Sequence, residues 1–366
     1  MNMRKIGTDE VSAIGLGCMG ITHASGAPMS IEDGAKVIET AHDLGYTLFD
    51  TAECYTGVYP DGTTAYNEEV VGKGIKSFRN EIFLASKCGV QHGGDHLILD
   101  SSPETIRKSV EGSLKRLGTD HIDLYYQHRI DPKVEPETVA ETMAALIKEG
   151  KIRYWGISET TEEYLRRAHA VCPVTAIQNR YSMMARWHET IFQACEELGV
   201  TYVAFSPLAN GFLSGAYTDK TQFEPGADFR SNMPQYKGEG YQKGKALLDI
   251  IEALAAEKNV TTAQISLAWI LSRKPYIIPI PGSRKTSRLK ENLEAANVVL
   301  TKEESDSITE KLDHGLIDFG LLVEPVDISK YEYLRLPVKD TWGVLMRRDS
   351  PLAVKDHILA EDLWEK

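Results

Sequence analysis

The chain has 366 residues, 42% of them hydrophobic, with 53 acidic and 41 basic side chains and a formal net charge of −12. That length allows one large core or two modest ones, and the acidity argues against nucleic acid or an anionic membrane as the general partner while permitting a local basic site. No run approaches 18 apolar residues and the opening MNMRKIGTDE holds no apolar signal core, so neither a membrane span nor a secretory signal is expected.

A short stretch before residue 13 suits a hairpin, and AIGLG (13–17) is the first candidate strand of the main sheet. A helix is expected from Ile31, with Ser30 as N-cap and Asp33 three residues on. YTLFD (46–50) is strand two; a helix near 67–77 leads to IFLAS (82–86), strand three. Ser102 and Pro103 suit the N-cap and first position of a helix running to Leu117. HIDLYYQH (121–128) is strand four, followed by a helix over 136–148. KIRYWGIS (151–158) is strand five, and Thr160 with Glu163 opens the next helix. VTAIQN (174–179) is strand six, with a helix over 186–198 that stops at Gly199. VTYVAFS (200–206), PYIIPIPG (275–282) and a helix over 286–296 complete the pattern.

Eight strand–helix units predict an α/β fold, a parallel (β/α)8 TIM barrel with an N-terminal hairpin. The strands are near-continuous apolar runs, as expected when both faces are covered. Residues 207–240 are rich in Gly, Pro and polar side chains, a long loop of the kind that is often functional. A further helix over 301–311 opens with a Thr301–Glu304 capping box. The domain reading is a barrel over 1–312 and a C-terminal extension over 313–366, placed equally well on the barrel wall or near the active-site mouth, with an amphipathic helix in its last stretch.

Such barrels carry their chemistry at the C-terminal ends of the strands. Asp50, Tyr55, Lys87 and His128 stand there, after strands two, three and four. Taken singly, each has an ordinary explanation: a loop cap, a surface aromatic, a solvated charge, a core histidine. Together they can protonate a carbonyl oxygen if something else supplies a hydride. Tyr55 is the best donor, since a phenol with a pKa near 10 is protonated at neutral pH. Lys87 is expected to ease its proton release, Asp50 to hold Lys87, and His128 to orient the substrate oxygen.

GLGCMG (15–20) matches G-x-G-x-x-G, but the next helix starts some ten residues late for a phosphate fingerprint. The glycines more simply let a strand turn into a loop; a third reading lays their backbone under a nicotinamide ring. The five cysteines form no C-x-x-C pair, which fits a reduced, cytoplasmic protein. Cys54 and Cys88 each adjoin a candidate catalytic residue, and Lys87 can lower a nearby thiol pKa, the weaker reading because adjacent residues often point apart. No metal site is expected; His92 and His96 lie in a glycine-rich loop without a third ligand.

FDTAECY, ASKCG and YYQHR, followed in order by WGISE, QNRYS, FSPLANGFLSG and IPGSRKTSRLKEN, resemble the aldo-keto reductase family over residues 3–311. The resemblance implies NADPH bound across the top of the barrel and reversible reduction of an aldehyde or ketone, with a small-molecule carbonyl as partner and Asp50, Tyr55, Lys87 and His128 as catalytic residues. It implies that Ser158 and Gln178 hold the nicotinamide carboxamide, with Glu159 beside them where many members have asparagine. Phe205 should stack on the ring, and Arg180 stands where a glutamate is frequent. Ser206, Leu208, Gly211 and Leu213 belong to the stretch around the pyrophosphate. Gly282, Ser283, Arg284 and Arg288 should meet the 2′-phosphate near a helix start, with Glu291 and Asn292 at the adenine. The alternative is a cofactor-sensing or regulatory subunit on the same barrel. Natural substrate, stereochemistry and oligomeric state have no readable code.

Overall fold

The computed structural model describes residues 2–94, 96–226, 228–315, 319–323, 332–336 and 342–346, with side chains as far as Thr309. Two compact units divide the chain, Met1–Ser305 and Asp306–Lys366.

In the first unit an antiparallel hairpin, Met3–Ile6 with Asp9–Ser12, precedes the main sheet. The sheet's strands are β1 (Leu16–Gly17), β2 (Leu48–Asp50), β3 (Phe83–Cys88), β4 (Ile122–Gln127), β5 (Ile152–Ser158), β6 (Ala176–Arg180), β7 (Thr201–Phe205) and β8 (Ile277–Pro279). Each falls inside or within a residue or two of an expected run. All neighbours are parallel and follow chain order from β1 to β8. Every residue of β3 and β4 is buried, which fits their mostly apolar character.

The sheet curls. Gly15 N–H donates to Pro279 O at 3.0 Å and Gly17 N–H to Pro281 O at 3.3 Å, joining the β1 end to the β8 end. Gly17 is required at this seam: a Cβ there would lie 2.7 Å from the Ile280 carbonyl oxygen, and one on Gly282 2.6 Å from that of Gly17. Leu48, Leu124, Tyr126, Val203 and Ile278 fill the interior, joined by Ile6 and Val11 of the hairpin.

The helices are α1 (Ile31–Leu44), α2 (Asn67–Ile75), α3 (Pro103–Leu117), α4 (Pro136–Lys148), α5 (Glu162–Val171), α6 (Phe192–Leu198), α7 (Gly238–Lys258), α8 (Thr262–Arg273), α9 (Thr286–Glu294) and α10 (Lys302–Gly315). Ser30 caps α1 by accepting Asp33 N–H at 3.0 Å, and Ser102 caps α3 by accepting Thr105 N–H at 3.3 Å. The box ahead of α10 is reciprocal: Glu304 N–H reaches Thr301 Oγ1 at 3.1 Å and Thr301 N–H reaches Glu304 Oε2 at 2.7 Å.

Several expectations shift. Thr161, not Thr160, caps α5, accepting Tyr164 N–H at 3.3 Å, because the buried Thr160 donates its own N–H to Asn179 Oδ1 at 3.0 Å. The helix expected over 186–198 is a 3-10 turn, Trp187–Ile191, followed by α6. The loop expected over 207–240 contains three 3-10 turns and runs into α7 and α8, which complete the chain between β7 and β8. Two small hairpins, Thr56–Val58 with Thr64–Tyr66 and Val90–His92 with Leu97–Leu99, follow β2 and β3. No described helix is long and apolar enough to cross a membrane.

In the second unit Phe319–Val323, Trp342–Met346 and Glu332–Leu336 form a three-stranded antiparallel sheet in that spatial order. The amphipathic helix expected in the last stretch lies outside the described residues.

Gly17→Ala tests the seam. The added methyl meets backbone rather than a movable side chain, so a loss of about 1–3 kcal/mol is expected in urea unfolding; wild-type stability would show that the two edge strands part without cost.

Candidate active site

Asp50 ends β2, Lys87 lies one residue before the end of β3, and His128 follows β4 directly. Parallel pairing of β2 with β3 and of β3 with β4 sets these three ends side by side. Lys87 has no solvent exposure, so its ammonium must find partners inside the protein. Its three donors each have one: Asp50 Oδ1 at 2.5 Å, Thr51 O at 2.8 Å and Tyr55 Oη at 3.2 Å. The second Asp50 oxygen accepts Gln178 Nε2–H at 2.8 Å. Because the ammonium only donates, the Tyr55 oxygen is an acceptor in this bond and keeps its own hydrogen for another partner.

Burial alone would lower the Lys87 pKa, but Asp50 and Tyr55 outweigh it and the net shift is upward. For Tyr55, Lys87 does favour the tyrosinate as expected, but a larger effect opposes it. Burial pushes the phenol up to about 12, and the opposing pull of Lys87 is smaller. Tyr55 is therefore a protonated donor throughout the neutral range. Burial, with the charges of Lys87 and Arg129 adding, holds His128 well below the usual histidine range, so the ring is neutral. It meets Tyr55 edge-on with centroids 5.6 Å apart, and its Nδ1 lies 3.3 Å from Cys54 Sγ.

A cleft of about 490 Å³ begins at Asp50, Tyr55 and Gln178, passes Phe205, Ser206, Leu208 and Gly211, and reaches Gly282, Ser283, Arg284, Arg288 and Asn292. Twelve of the residues singled out from sequence thus share one wall. Lys87, His128, Ser158, Glu159, Leu213 and Glu291 stand off it. Ser158 is buried and its Oγ accepts Arg129 Nη1–H at 3.1 Å. The Glu159 carboxylate turns to the end of β6, accepting Arg180 N–H at 2.8 Å. Leu213 is fully buried, and Glu291 accepts Arg288 Nη1–H at 2.5 Å. Glu159 and Ser206, the first residues past β5 and β7, have φ of 53° and 51°, a region non-glycine residues enter at some cost.

The basic end is more engaged than sequence suggests. Arg284 donates from Nε to Gly20 O and from Nη1 to Ala27 O, the latter at 2.8 Å. Its Nη2 is buried without a hydrogen-bond partner. Across the cleft, Ser25 pairs with Asp228 in an antiparallel bridge, and Phe229 N–H reaches Ala24 O at 3.3 Å. Asp228 in turn binds Arg230 at 2.5 Å. Ser25, Phe229 and Arg230 all line the cleft, forming a strap that links positions far apart in the chain, 24–25 with 228–229, and leaves no local sequence signal.

Sequence reasoning also missed Arg129, whose guanidinium carbon lies 5.9 Å from the Phe205 ring centroid, with that of Arg180 at 5.5 Å. A basic residue directly after a strand-end histidine was the available sign. The GLGCMG segment continues into a 3-10 turn, Met19–Ile21, and α1 starts only at Ile31, which rules out the phosphate fingerprint and fits glycines that turn a strand into a loop. Burial pushes the Cys54 thiol up to about 12, outweighing Lys87, and holds the Cys88 thiol well above the usual thiol range; neither is an activated thiolate.

Residues 13–313 match the Aldo/keto reductase family. "Probable aldo-keto reductase 1" of Glycine max is 37% identical over 342 residues, covering 92% of this chain and 96% of its own. The aldo-keto reductase yakc of Schizosaccharomyces pombe, whose name carries NADP(+), is 40% identical over 319 residues, 85% of this chain and 91% of its own. Among solved structures, a glycerol dehydrogenase from Gluconobacter oxydans superposes with a TM-score of 0.76 at 28% identity, over 89% of this chain and 97% of that one. An aldo/keto reductase from Klebsiella pneumoniae in complex with NADP and acetate gives 0.63 at 26% identity, over 84% and 94%. A family match along most of the chain, relatives of this similarity and a curled parallel eight-stranded sheet together make this chain a member of the aldo-keto reductase family, with that family's oxidoreductase fold.

Proposed function

We propose that this chain is an NADPH-dependent reductase that converts an aldehyde or ketone to an alcohol, with Tyr55 as proton donor, on a (β/α)8 barrel. The observation that carries the reading is the buried ammonium of Lys87, which spends one of its three donors on the Tyr55 oxygen and so leaves the phenolic hydrogen free at the cleft.

The cleft suits the cofactor. It is long, it ends among cationic side chains, and the partnerless buried Nη2 of Arg284 offers a hydrogen to an anion. The Klebsiella pneumoniae relative with NADP and the NADP(+) in the Schizosaccharomyces pombe name support the same choice. Gln178 and Ser158 would hold the carboxamide, Phe205 the ring face, Ser206 to Gly211 with Leu213 the pyrophosphate region, and Gly282 to Arg284 with Arg288 the 2′-phosphate. Glu291 and Asn292 would border the adenine, and Glu159 would act through the end of β6 that it ties down. When bound, the reduced nicotinamide supplies hydride to the carbonyl carbon.

The chain's own residues manage the proton. As negative charge grows on the carbonyl oxygen, Tyr55 donates its hydrogen there. Lys87 remains charged beside Asp50 and stabilises the tyrosinate that Tyr55 becomes. His128, neutral and buried, adds a second donor that orients the oxygen. The strap between 24–25 and 228–229 crosses the cleft and slows exchange of whatever lies beneath it.

Tyr55→Phe should lower kcat for carbonyl reduction by about 10²-fold or more while NADPH binding, followed by fluorescence titration, is retained; unchanged turnover would remove Tyr55 from this role. With the phenol pushed up to about 12, kcat/KM for the carbonyl should be flat from about pH 6 to about pH 9, losing the donor only at higher pH; a fall centred near neutrality would require a different acid. Arg288→Ala should cut the preference for NADPH over NADH by about tenfold or more. Equal kcat/KM with both cofactors in the wild type, and a ratio unmoved by the substitution, would exclude 2′-phosphate recognition by Arg288.

A further inference from the structure

We infer that Cys54 sets the tautomer of His128: its thiol donates to Nδ1, placing the single ring proton on Nε2, the nitrogen left to meet the carbonyl oxygen. This assigns a positioning role within the reductase reading and rests on it.

The geometry is specific. Cys54 Sγ and His128 Nδ1 lie 3.3 Å apart, and the two residues are 8% and 6% exposed. Both backbones are tied. The Cys54 carbonyl accepts Thr56 N–H at 2.9 Å and faces His92 Nε2 at 3.1 Å, and His128 N–H donates to Cys88 O at 2.9 Å. The other two imidazoles nearby are engaged elsewhere. His92 is held by the Cys54 carbonyl, and His23 Nδ1 lies 2.6 Å from Thr56 O.

A neutral imidazole carries one N–H, and two arrangements could fill the short sulfur–nitrogen gap. With the proton on Nδ1, the ring donates to sulfur, a weak acceptor, and the thiol hydrogen must turn away. Nε2 then presents a lone pair, which repels a carbonyl oxygen. With the proton on Nε2, the thiol hydrogen fills the Nδ1 lone pair and both groups are satisfied. The ring then offers N–H where charge develops. The second arrangement needs a thiol rather than a thiolate, and burial keeps Cys54 protonated throughout the neutral range. The same hydrogen bond orients the ring, as partners of a histidine's far nitrogen commonly do. No atom of Cys54 has to touch the substrate.

The test is a nitrogen-15 spectrum of the full chain labelled in its histidine rings, without cofactor, with His128→Asn identifying the resonance. The wild type should show a protonated Nε2 and an unprotonated Nδ1 at His128. Cys54→Ala should shift that pattern toward a tautomer mixture, and Cys54→Ser, which still carries a hydroxyl donor, should retain it. In parallel, Cys54→Ala should lower kcat about five- to tenfold, the scale of one net hydrogen bond, with NADPH affinity unchanged and Cys54→Ser recovering most of the loss. A wild-type ring protonated on Nδ1, or an alanine variant with wild-type tautomer and wild-type kcat, would overturn the assignment. If the alanine variant does not fold, the wild-type and serine spectra decide it. Absence of any carbonyl reduction by the wild type would instead overturn the reductase reading, and the spectrum would still decide the thiol–imidazole bond.

Discussion

A buried ammonium is the constraint around which the site is organised. Lys87 sits with no solvent exposure beside the carboxylate of Asp50, which is 3% exposed. An unpaired charge at that depth would be strongly destabilising, and removing one member of a buried pair typically costs about 3–5 kcal/mol. The pair persists because every donor of Lys87 has an acceptor and each Asp50 oxygen has a donor. That saturation has a chemical consequence. The third donor of Lys87 can go only to the phenol, and the direction of that bond decides which way the phenol's hydrogen points.

The same accounting separates the residues that line the cleft from those that support it. Asp50, Tyr55 and Gln178 reach its wall, while Lys87, Ser158 and Glu159 act from behind. Each of these three is committed to a neighbour: Lys87 to Asp50, Ser158 to Arg129, and Glu159 to the backbone of Arg180. The far end follows the same logic. Arg284 holds the loop at Gly20 and Ala27 with two nitrogens and keeps one without a partner. It braces the rim while one buried donor stays unspent.

Much of the fold was legible because its causes are local. A strand buried on both faces reads as a nearly continuous apolar run, and β3 and β4 were found that way. Ser30, Ser102 and the Thr301–Glu304 box announced helix starts, since a cap and its partner are three residues apart. The error at Thr160 has the opposite cause. Its N–H is drawn off by Asn179, a residue 19 positions away on the next strand, and no local rule sees that competitor. The hairpins after β2 and β3 were missed because three-residue strands carry too little alternation to register. The strap between 24–25 and 228–229 has no pattern at all in either segment.

The sequence by itself determined which chemical groups stand at the ends of which strands, because apolar period and turn residues act over a few positions. It thereby identified the phenol, the ammonium, the carboxylate and the imidazole as one set. Only the tertiary structure decided how hydrogens are shared among them. The bonds that matter join Lys87 to Tyr55 across 32 positions, Cys54 to His128 across 74 and Gln178 to Asp50 across 128. Burial, which raises the phenol and the thiol and lowers the imidazole, is likewise a property of the closed sheet end and of no single segment, because desolvation depends on everything packed around a group.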